Sequence, residues 1–152
     1  MGKKIEMIMV KKGIRCMVEL LEKEAPQTCK ALLEFLPREM DFTNGQASGA
    51  EALTYLDPPN IFRVGPENLE RNILPGDVAY YYAAGPVGPR SSYAGTSTTD
   101  YAEIIYFYDR KAKSSGVNLV GLMTEGKEEF CAASQAIRPE GPIRILMREL
   151  KK

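Results

Sequence analysis

Apolar and polar residues alternate along much of this chain, and the alternation predicts strands. Residues 13–21 are the clearest case, because one face of that run carries Ile14, Cys16, Val18 and Leu20. The run before it, residues 4–10, is strand-like as well, and the Lys-Lys-Gly sequence between the two predicts a hairpin turn. The chain is therefore expected to begin with a β-hairpin that buries one face.

A helix is predicted directly after this hairpin. Pro26 suits the first turn of a helix, where its missing N–H removes no hydrogen bond. The run ends at Pro37, and before it apolar residues recur at the helical spacing i, i+3, i+4, i+7, at Cys29, Leu32, Leu33 and Leu36. We expect the Ala25-Pro26 step to turn a barrel strand into a helix that covers one end of the barrel.

The rest of the chain predicts mainly strands, with a second short helix over residues 126–137. The strands are predicted over residues 51–56, 77–83, 102–108, 117–123 and 142–150. No repeat or linker interrupts residues 1–152, so one domain is expected. Because closure removes exposed strand edges, we predict a mainly β fold, a closed antiparallel barrel with two short helices.

Charge and cysteine content narrow the functional class. Lys plus Arg and Asp plus Glu number 20 each, so we expect neither nucleic acid nor an acidic membrane surface as a partner. Residues 1–13 are too short and too interrupted by lysine for a signal peptide or a transmembrane helix. Cys16, Cys29 and Cys131 are odd in number and widely spaced, which argues against a disulfide framework and predicts a cytoplasmic location.

The lack of histidine excludes several kinds of site. Without it there is no Ser-His-Asp triad, no Cys-His dyad and no histidine metal site, and no Cys-x-x-Cys pair is present either. The chain also lacks the GxxxxGK[ST] phosphate-binding loop. We therefore expect no metal and no cofactor, and any acid/base chemistry has to come from Asp, Glu, Tyr, Lys or Cys.

Three segments, taken in order, resemble cyclophilins. Residues 13–36 are similar to the strand, Ala-Pro-x-Thr turn and helix that open that family, and residues 75–86 are similar to a later strand with its Ala-Gly-Pro loop. Residues 117–147 are similar to the closing strand, helix and last strand. Residues 47–56, "ASGAEALTYL", are similar to a Ser-Gly-x-Glu signature of small microbial cyclophilin-like proteins of unknown function. The resemblance implies a cyclophilin-like barrel.

Activity does not follow from this resemblance, because fold and function are separable. Prolyl isomerases of the family use an Arg on a barrel strand, and "IFRV" offers Arg63. A second alignment places "EALTYL" on that strand, which leaves no Arg there, and we favour it because Glu51 then falls in the Ser-Gly-x-Glu pattern. The later strand, "YAEIIYFY", lacks the family's Gln-Phe-Phe sequence. Prolyl isomerisation is therefore the less favoured alternative.

A concentration of tyrosines suggests a binding site instead. Tyr side chains give rigid apolar area with a hydroxyl, which suits a pocket for a small metabolite or peptide, although alternate tyrosines of a strand can equally fill the barrel. Glu51 and Glu103 begin apolar strands, where a carboxyl can acquire a raised pKa and act as an acid or base. The candidate ligand-binding residues are Ser48, Glu51, Arg63, Tyr80, Tyr82, Glu103 and Tyr106.

The segment 85–99 is long, small and rich in hydroxyl groups. Segments of this length in a single domain are usually functional or disordered. Two roles are expected from its composition: it closes over a ligand, or it orders against a second copy of the chain. We therefore expect a small molecule or a peptide as the partner, with a homo-oligomer as a further possibility.

Overall fold

Strands account for most of the chain in a computed structural model that describes residues 2–45, 49–84, 100–114 and 116–151. The strands are β1 (Lys4–Met9), β2 (Arg15–Leu20), β3 (Arg38–Asn44), β4 (Gly49–Tyr55), β5 (Leu69–Glu70), β6 (Asp77–Ala83), β7 (Tyr101–Ala112), β8 (Val117–Met123) and β9 (Ile143–Leu150). The helices are α1 (Pro26–Phe35), α2 (Lys127–Ser134) and α3 (Ile137–Glu140), with a 3₁₀ turn at Pro58–Asn60. The mainly β fold class is confirmed.

Eight of these strands form a closed antiparallel barrel. Their order is β2-β1-β9-β3-β4-β7-β6-β8, and pairing of Val18 with Met123 and of Leu20 with Gly121 closes β2 onto β8. The two-residue strand β5 pairs with the start of β8, beside the stretch that β2 occupies. The predicted closed barrel is therefore confirmed, and one edge of β8 is shared between two partners.

Helices cover openings of the barrel. α1 begins at Pro26, as predicted, and its residue Cys29 is fully buried, with its thiol 3.5 Å from the carbonyl oxygen of Val120 in β8. α2 starts after Gly126, whose φ is +80° and where a Cβ would lie 2.4 Å from the carbonyl oxygen of Arg15. Only glycine lets α2 begin so close to β2. Within the described ranges, no helix has the length and apolar character needed to cross a membrane.

Three elements were not predicted from the sequence: β3, β5 and α3. β3 has apolar side chains only at Met40 and Phe42, so its alternation is weak. Arg144 of the neighbouring β9 forms ion pairs with Glu39 at 3.2 Å and with Asp41 at 3.3 Å. Pairing with β9 and β4 thus makes a strand of a segment whose own pattern is mostly polar.

Strand alternation separates two apolar clusters. The larger one fills the barrel and includes Ile5, Phe42, Tyr106, Phe130 and Met147, all fully buried. The smaller one lies on the outer face of β4, β7, β6 and β8 and consists of Leu53, Ala79, Ile105, Phe107 and Val117. The four strands under this second cluster therefore have buried residues on both faces, and the candidate site lies on them.

Candidate functional site

A cleft of about 240 Å³ lies where strand β6 extends beyond its partner β8. The pairing of these strands ends at Tyr80 and Asn118, whereas β6 continues to Ala83 with β7 as its partner. One wall consists of residues 80–82 and 84, and the opposite wall consists of residues 64–66, 69 and 116–118. The tyrosine-rich strand singled out from the sequence thus forms one side of a cleft.

Where β6 borders the cleft, one edge of its backbone is not paired with a described neighbouring strand. In a strand, alternate residues direct their N–H and C=O groups to one neighbour or to the other. Among the described residues, 81–83 have a pairing partner on the β7 side only. Backbone donors and acceptors of this stretch are therefore directed toward the cleft.

Tyr80 anchors the chain that forms the opposite wall. Its hydroxyl donates to the Phe62 carbonyl oxygen at 2.8 Å and accepts from the Phe62 N–H at 2.9 Å. The two rings stack with their centroids 4.4 Å apart. Burial raises the pKa of Tyr80, and the hydrogen bonds to Phe62 only partly oppose this. The hydroxyl is thus used within the protein, and the ring belongs to the buried cluster, with the residue 2% exposed.

Tyr82 and Arg63 meet at Asp100. The Tyr82 hydroxyl donates to Asp100 Oδ2 at 3.0 Å, and Arg63 Nε donates to the same oxygen at 2.5 Å. Burial and the carboxylate of Asp100 raise the pKa of Tyr82. The Arg63 side chain stays 55% exposed and lies in the loop after the 3₁₀ turn, outside the barrel strands. Three polar side chains, two of them predicted, therefore come together beside the cleft.

The opposite wall is tied to the start of helix α1 by Glu67. One carboxylate oxygen accepts from the Thr28 N–H and hydroxyl, both at 2.8 Å, and the other accepts from the Gln27 N–H at 3.1 Å. Burial acts to raise the pKa of Glu67, but these hydrogen bonds outweigh it and the pKa is lowered. Ala25, at the N-cap, supplies no side-chain hydrogen bond to the helix. Glu67 therefore caps α1 from a distant segment.

Asn118 completes this wall. Its Nδ2 donates to the Gly65 carbonyl oxygen at 3.0 Å and to the Thr28 hydroxyl at 3.2 Å, and its Oδ1 accepts from the Glu67 N–H at 3.1 Å. The amide thus joins β8, the segment 64–69 and helix α1. These hydrogen bonds within the protein hold the wall together.

Glu103 lies on the outer face of the barrel, on strand β7. It is 7% exposed, and the Tyr101 hydroxyl donates to one of its carboxylate oxygens. Burial raises the pKa of Glu103 to about 7; the Tyr101 hydrogen bond lowers it, and the charge of Glu51 raises it. Tyr55 of β4 and Tyr81 of β6 lie directly opposite Glu103 in the two neighbouring strands. Tyr81 is also part of the cleft wall, so Glu103 lies one side chain away from the cleft.

Glu51 lies on the same outer face, opposite Phe107 and 6% exposed. The strand register shifts between Gly49 and Glu51. Gly49 has φ +82°, and a Cβ there would lie 2.0 Å from the Lys111 carbonyl oxygen. The backbone conformation and the close contact therefore both require glycine at this position of the Ser-Gly-x-Glu sequence. Ser48 lies outside the described residues. Residues 51–55 of "EALTYL" lie in the barrel strand β4, whereas "IFRV" follows the 3₁₀ turn and lies outside the strands.

Tyr106 lies inside the barrel and away from the cleft. It is fully buried against Phe42 and Phe130, with ring centroids 5.5 Å and 5.4 Å away, and its hydroxyl shares a hydrogen bond of 2.9 Å with Ser134. Burial raises its pKa. Of the candidate residues, Tyr80, Tyr82 and Arg63 are brought together, Glu51 and Glu103 form a second group on the outer face, and Tyr106 belongs to the core.

The three cysteines lie apart from both groups. All three thiols are buried and free, and burial raises the pKa of Cys131 to about 11 and of Cys29 to about 12. Neutral buried thiols of this kind behave as small apolar groups. Across the described ranges, no three His, Cys, Asp or Glu side chains are grouped as metal ligands.

A family model described as "Protein of unknown function (DUF3830)" matches residues 7–147. The chain belongs to the DUF3830 family. The structure of McbB in complex with tryptophan is similar to this DUF3830 chain at 15% identity and a TM-score of 0.70, over 97% of the chain and 45% of McbB. The solution structure of the hypothetical protein AF2241 from Archaeoglobus fulgidus is similar at 19% identity and a TM-score of 0.59, over 98% of the chain and 95% of AF2241.

These likenesses show the barrel fold alone. The DUF3830 chain spans about half the length of McbB, so McbB has a large part with no counterpart here. No curated protein matches the chain.

Sequence reasoning missed Glu67, Asn118, Asp100 and the role of Tyr101. A signal for Glu67 was present, because Ala25 cannot cap a helix and the N–H groups of α1 therefore need an acceptor from elsewhere. No such signal exists for the others. Their partners are 18 to 90 residues distant or depend on strand register, as in the bonds from Tyr82 to Asp100 and from Asn118 to Thr28.

Proposed function

We propose that this DUF3830 chain binds a small metabolite or a short peptide in the cleft lined by residues 80–82, on a barrel of cyclophilin-like type. The observation that carries the proposal is the cleft itself, with three tyrosine residues along one wall and a hydrogen-bonded wall opposite. Ligand pockets combine apolar lining with a few placed polar groups. The volume of about 240 Å³ suits a small molecule or one or two peptide residues.

Backbone groups add a reason to include peptides. The edge of residues 81–83 that faces the cleft offers N–H and C=O groups in the geometry of a strand. An extended peptide that pairs with such an edge gains main-chain hydrogen bonds, while alternate side chains enter pockets. McbB binds tryptophan in its solved structure, so amino acids and aromatic dipeptides belong in the first set of compounds.

Thermal shift with a broad set of metabolites, amino acids and dipeptides tests the proposal, since a ligand of the folded state raises the melting temperature. Hits are then titrated against Ala84→Trp, which places a large side chain in the cleft. Val10→Trp, at an exposed position of the β1–β2 hairpin, is the matched control. We expect hits to bind the control variant as they bind the wild type and to fail with Ala84→Trp. Equal binding to both variants contradicts the proposal.

A second candidate function is acid/base catalysis on the outer face. The supporting observation is Glu103, a nearly buried carboxyl with a pKa raised to about 7 beside the Tyr101 hydroxyl. A group that titrates near neutral pH is suited to donate and to accept protons. Glu51 is the alternative carboxyl on this face. Turnover of any screening hit by the wild type, and its loss in Glu103→Gln but not in Glu51→Gln, identifies Glu103 as the acid/base.

Prolyl isomerisation is not expected. Arg63 is paired with Asp100 on a loop, whereas the cyclophilin isomerases that the sequence resembles use an Arg on a barrel strand. An isomerisation assay with a proline peptide tests this, because the uncatalysed reaction takes tens to hundreds of seconds. Acceleration by the wild type that is lost in Arg63→Ala contradicts the expectation.

A further inference from the structure

We propose that Tyr55, Tyr81, Tyr101 and Glu103, here called the outer tyrosine cluster, bind an organic ammonium group. The site is separate from the cleft, although Tyr81 belongs to both. Its place in the fold is the outer face of the barrel, where β4, β7 and β6 run side by side. The ligand class is a small molecule or side chain with a protonated or quaternary amine.

Strand register brings the cluster together. Glu103 lies between Tyr55 on β4 and Tyr81 on β6, directly opposite both. Directly opposite residues in antiparallel strands have Cβ atoms about 5 Å apart. Tyr101 is two positions before Glu103 on the same face of β7, and its ring centroid lies 5.8 Å from that of Tyr55 and 6.0 Å from that of Tyr81. Three aromatic rings therefore surround one carboxylate.

The Glu103 carboxylate accepts a hydrogen bond from a tyrosine hydroxyl and is not paired with a cation of the described residues. Its hydrogen bond from Tyr101 goes to Oε2, and among the described residues no Lys or Arg forms an ion pair with it. Glu103 is 7% exposed, and among the described residues no second hydrogen bond to its carboxylate accompanies the one from Tyr101. Burying a charge that lacks a partner is costly, and a positive ligand removes that cost.

The surroundings favour an organic cation over a metal ion. Among the described residues, the groups that face Glu103 from the strands beside it are Tyr55 and Glu51 on β4 and Tyr81 on β6, with Tyr101 on its own strand. Hard cations take six or more oxygen ligands, which one or two carboxylates do not supply. Ammonium groups, in contrast, bind the faces of aromatic rings and a nearby carboxylate together. Three tyrosine rings and one carboxylate match that chemistry.

Choline and its neutral isostere 3,3-dimethylbutan-1-ol are the matched probes, measured by calorimetric titration. We expect choline to bind the wild type about tenfold more tightly than the isostere, the size expected of a charged group over aromatic rings. Glu103→Gln should reduce this preference, because the carboxylate is lost while the rings remain, and Tyr55→Leu should weaken choline binding about threefold to tenfold. Glu19→Gln, on the distant strand β2, should leave it unchanged. Equal affinity for the two probes, or a preference of unchanged size in Glu103→Gln, overturns the proposal.

The pH profile gives a second readout that does not depend on a variant. Choline keeps its charge at every pH, so a change in its affinity reports the protein. Because the pKa of Glu103 is about 7, affinity should rise about tenfold between pH 6 and pH 8 and then level off. Glu51→Gln should keep a rise of this kind. A flat profile in the wild type overturns the proposal.

Two further experiments ask whether the amine belongs to a small molecule or to a protein side chain, and whether its binding depends on the cleft. A short peptide with trimethyllysine is compared with the same peptide carrying norleucine; tighter binding of the trimethyllysine peptide than of choline indicates a protein side chain as the ligand. Ala84→Trp should leave the preference for choline over its isostere intact. Loss of cleft ligands and loss of this preference are therefore distinguishable results.

Discussion

Glu67 and Glu103 are carboxylates beside the two walls of the same cleft, and the protein satisfies only one of them. Glu67 accepts three hydrogen bonds from the start of α1, and its pKa is lowered. Glu103 accepts one hydrogen bond, and burial raises its pKa to about 7. Burial acts in the same direction on both groups, so the number of donors decides the sign. The charge of Glu67 is used to hold the fold, whereas Glu103 is the carboxyl for which we propose an ammonium ligand.

Of the four variants, Glu103→Gln should change the free energy of unfolding most, and it should stabilise the protein. In the unfolded chain Glu103 ionises near its ordinary value of 4.5, whereas in the fold it stays protonated up to about 7. The wild type therefore loses stability as the pH rises from 4.5 to 7, by on the order of 3 kcal/mol, and the loss is complete above pH 7. The variant should lack this loss. Urea unfolding of both proteins across this pH range measures the difference, and a difference that does not vary with pH contradicts the interpretation.

Part of this comparison could be predicted from the sequence. The alternation in residues 13–21 and the helical spacing from Pro26 indicated a β-hairpin and a helix, and both are present as β1, β2 and α1. The strand of Tyr80 and Tyr82 was also singled out, and it lines the cleft. Local periodicity is sufficient for such elements, because each one buries its own apolar face.

The rest depends on contacts between distant segments. Tyr55, Tyr81 and Glu103 face each other only because β4 and β6 take one particular register on β7, and a shift by one residue would turn these side chains to the other face. β3 is mostly polar and owes its strand structure to β9 and β4. Ala25 indicates that α1 needs an acceptor from elsewhere, but Glu67 lies in an irregular segment, so no local pattern identifies it as that acceptor.

Tyr101→Phe should leave Glu103 without its hydrogen-bond donor, so that it differs still more from Glu67, and should lower the free energy of unfolding. The variant keeps the ring and removes the only hydroxyl that donates to Glu103 among the described residues. A hydrogen bond to a charged group contributes about 2 kcal/mol, so the variant should lose about that much stability at pH 8, where Glu103 is ionised. At pH 5, with Glu103 protonated, the loss should be about half as large or less. Unfolding free energies at the two pH values decide this, and equal losses would show that the bond does not act on the charge.

Glu67→Gln should have a smaller effect of the opposite sign to Glu103→Gln. Loss of a helix cap typically costs about 1 kcal/mol, and the amide can replace only part of what the carboxylate accepts. Since the pKa of Glu67 is lowered in the fold, its contribution is fully present above the ordinary value of 4.5 and is lost as the pH falls below it. Glu34→Gln, at the exposed far end of α1, is the matched control. Urea unfolding at neutral pH and at about pH 3 checks both points, and equal costs for the two variants would contradict the role as a cap.

Glu51→Gln should have the smallest effect of the four variants. It should lower the pKa of Glu103, which makes this carboxyl more like Glu67. The charge of Glu51 is the last of the three causes acting on Glu103, after burial and the Tyr101 hydrogen bond, so its removal should lower the pKa of Glu103 by less than about one unit. The reason is electrostatic: a second negative charge disfavours ionisation of the first. Titration of the carboxyl carbons by NMR measures the change directly. Glu51→Asp keeps the charge and is the matched control. An equal fall in both variants would mean that altered burial at this face, and not the charge of Glu51, sets the pKa of Glu103.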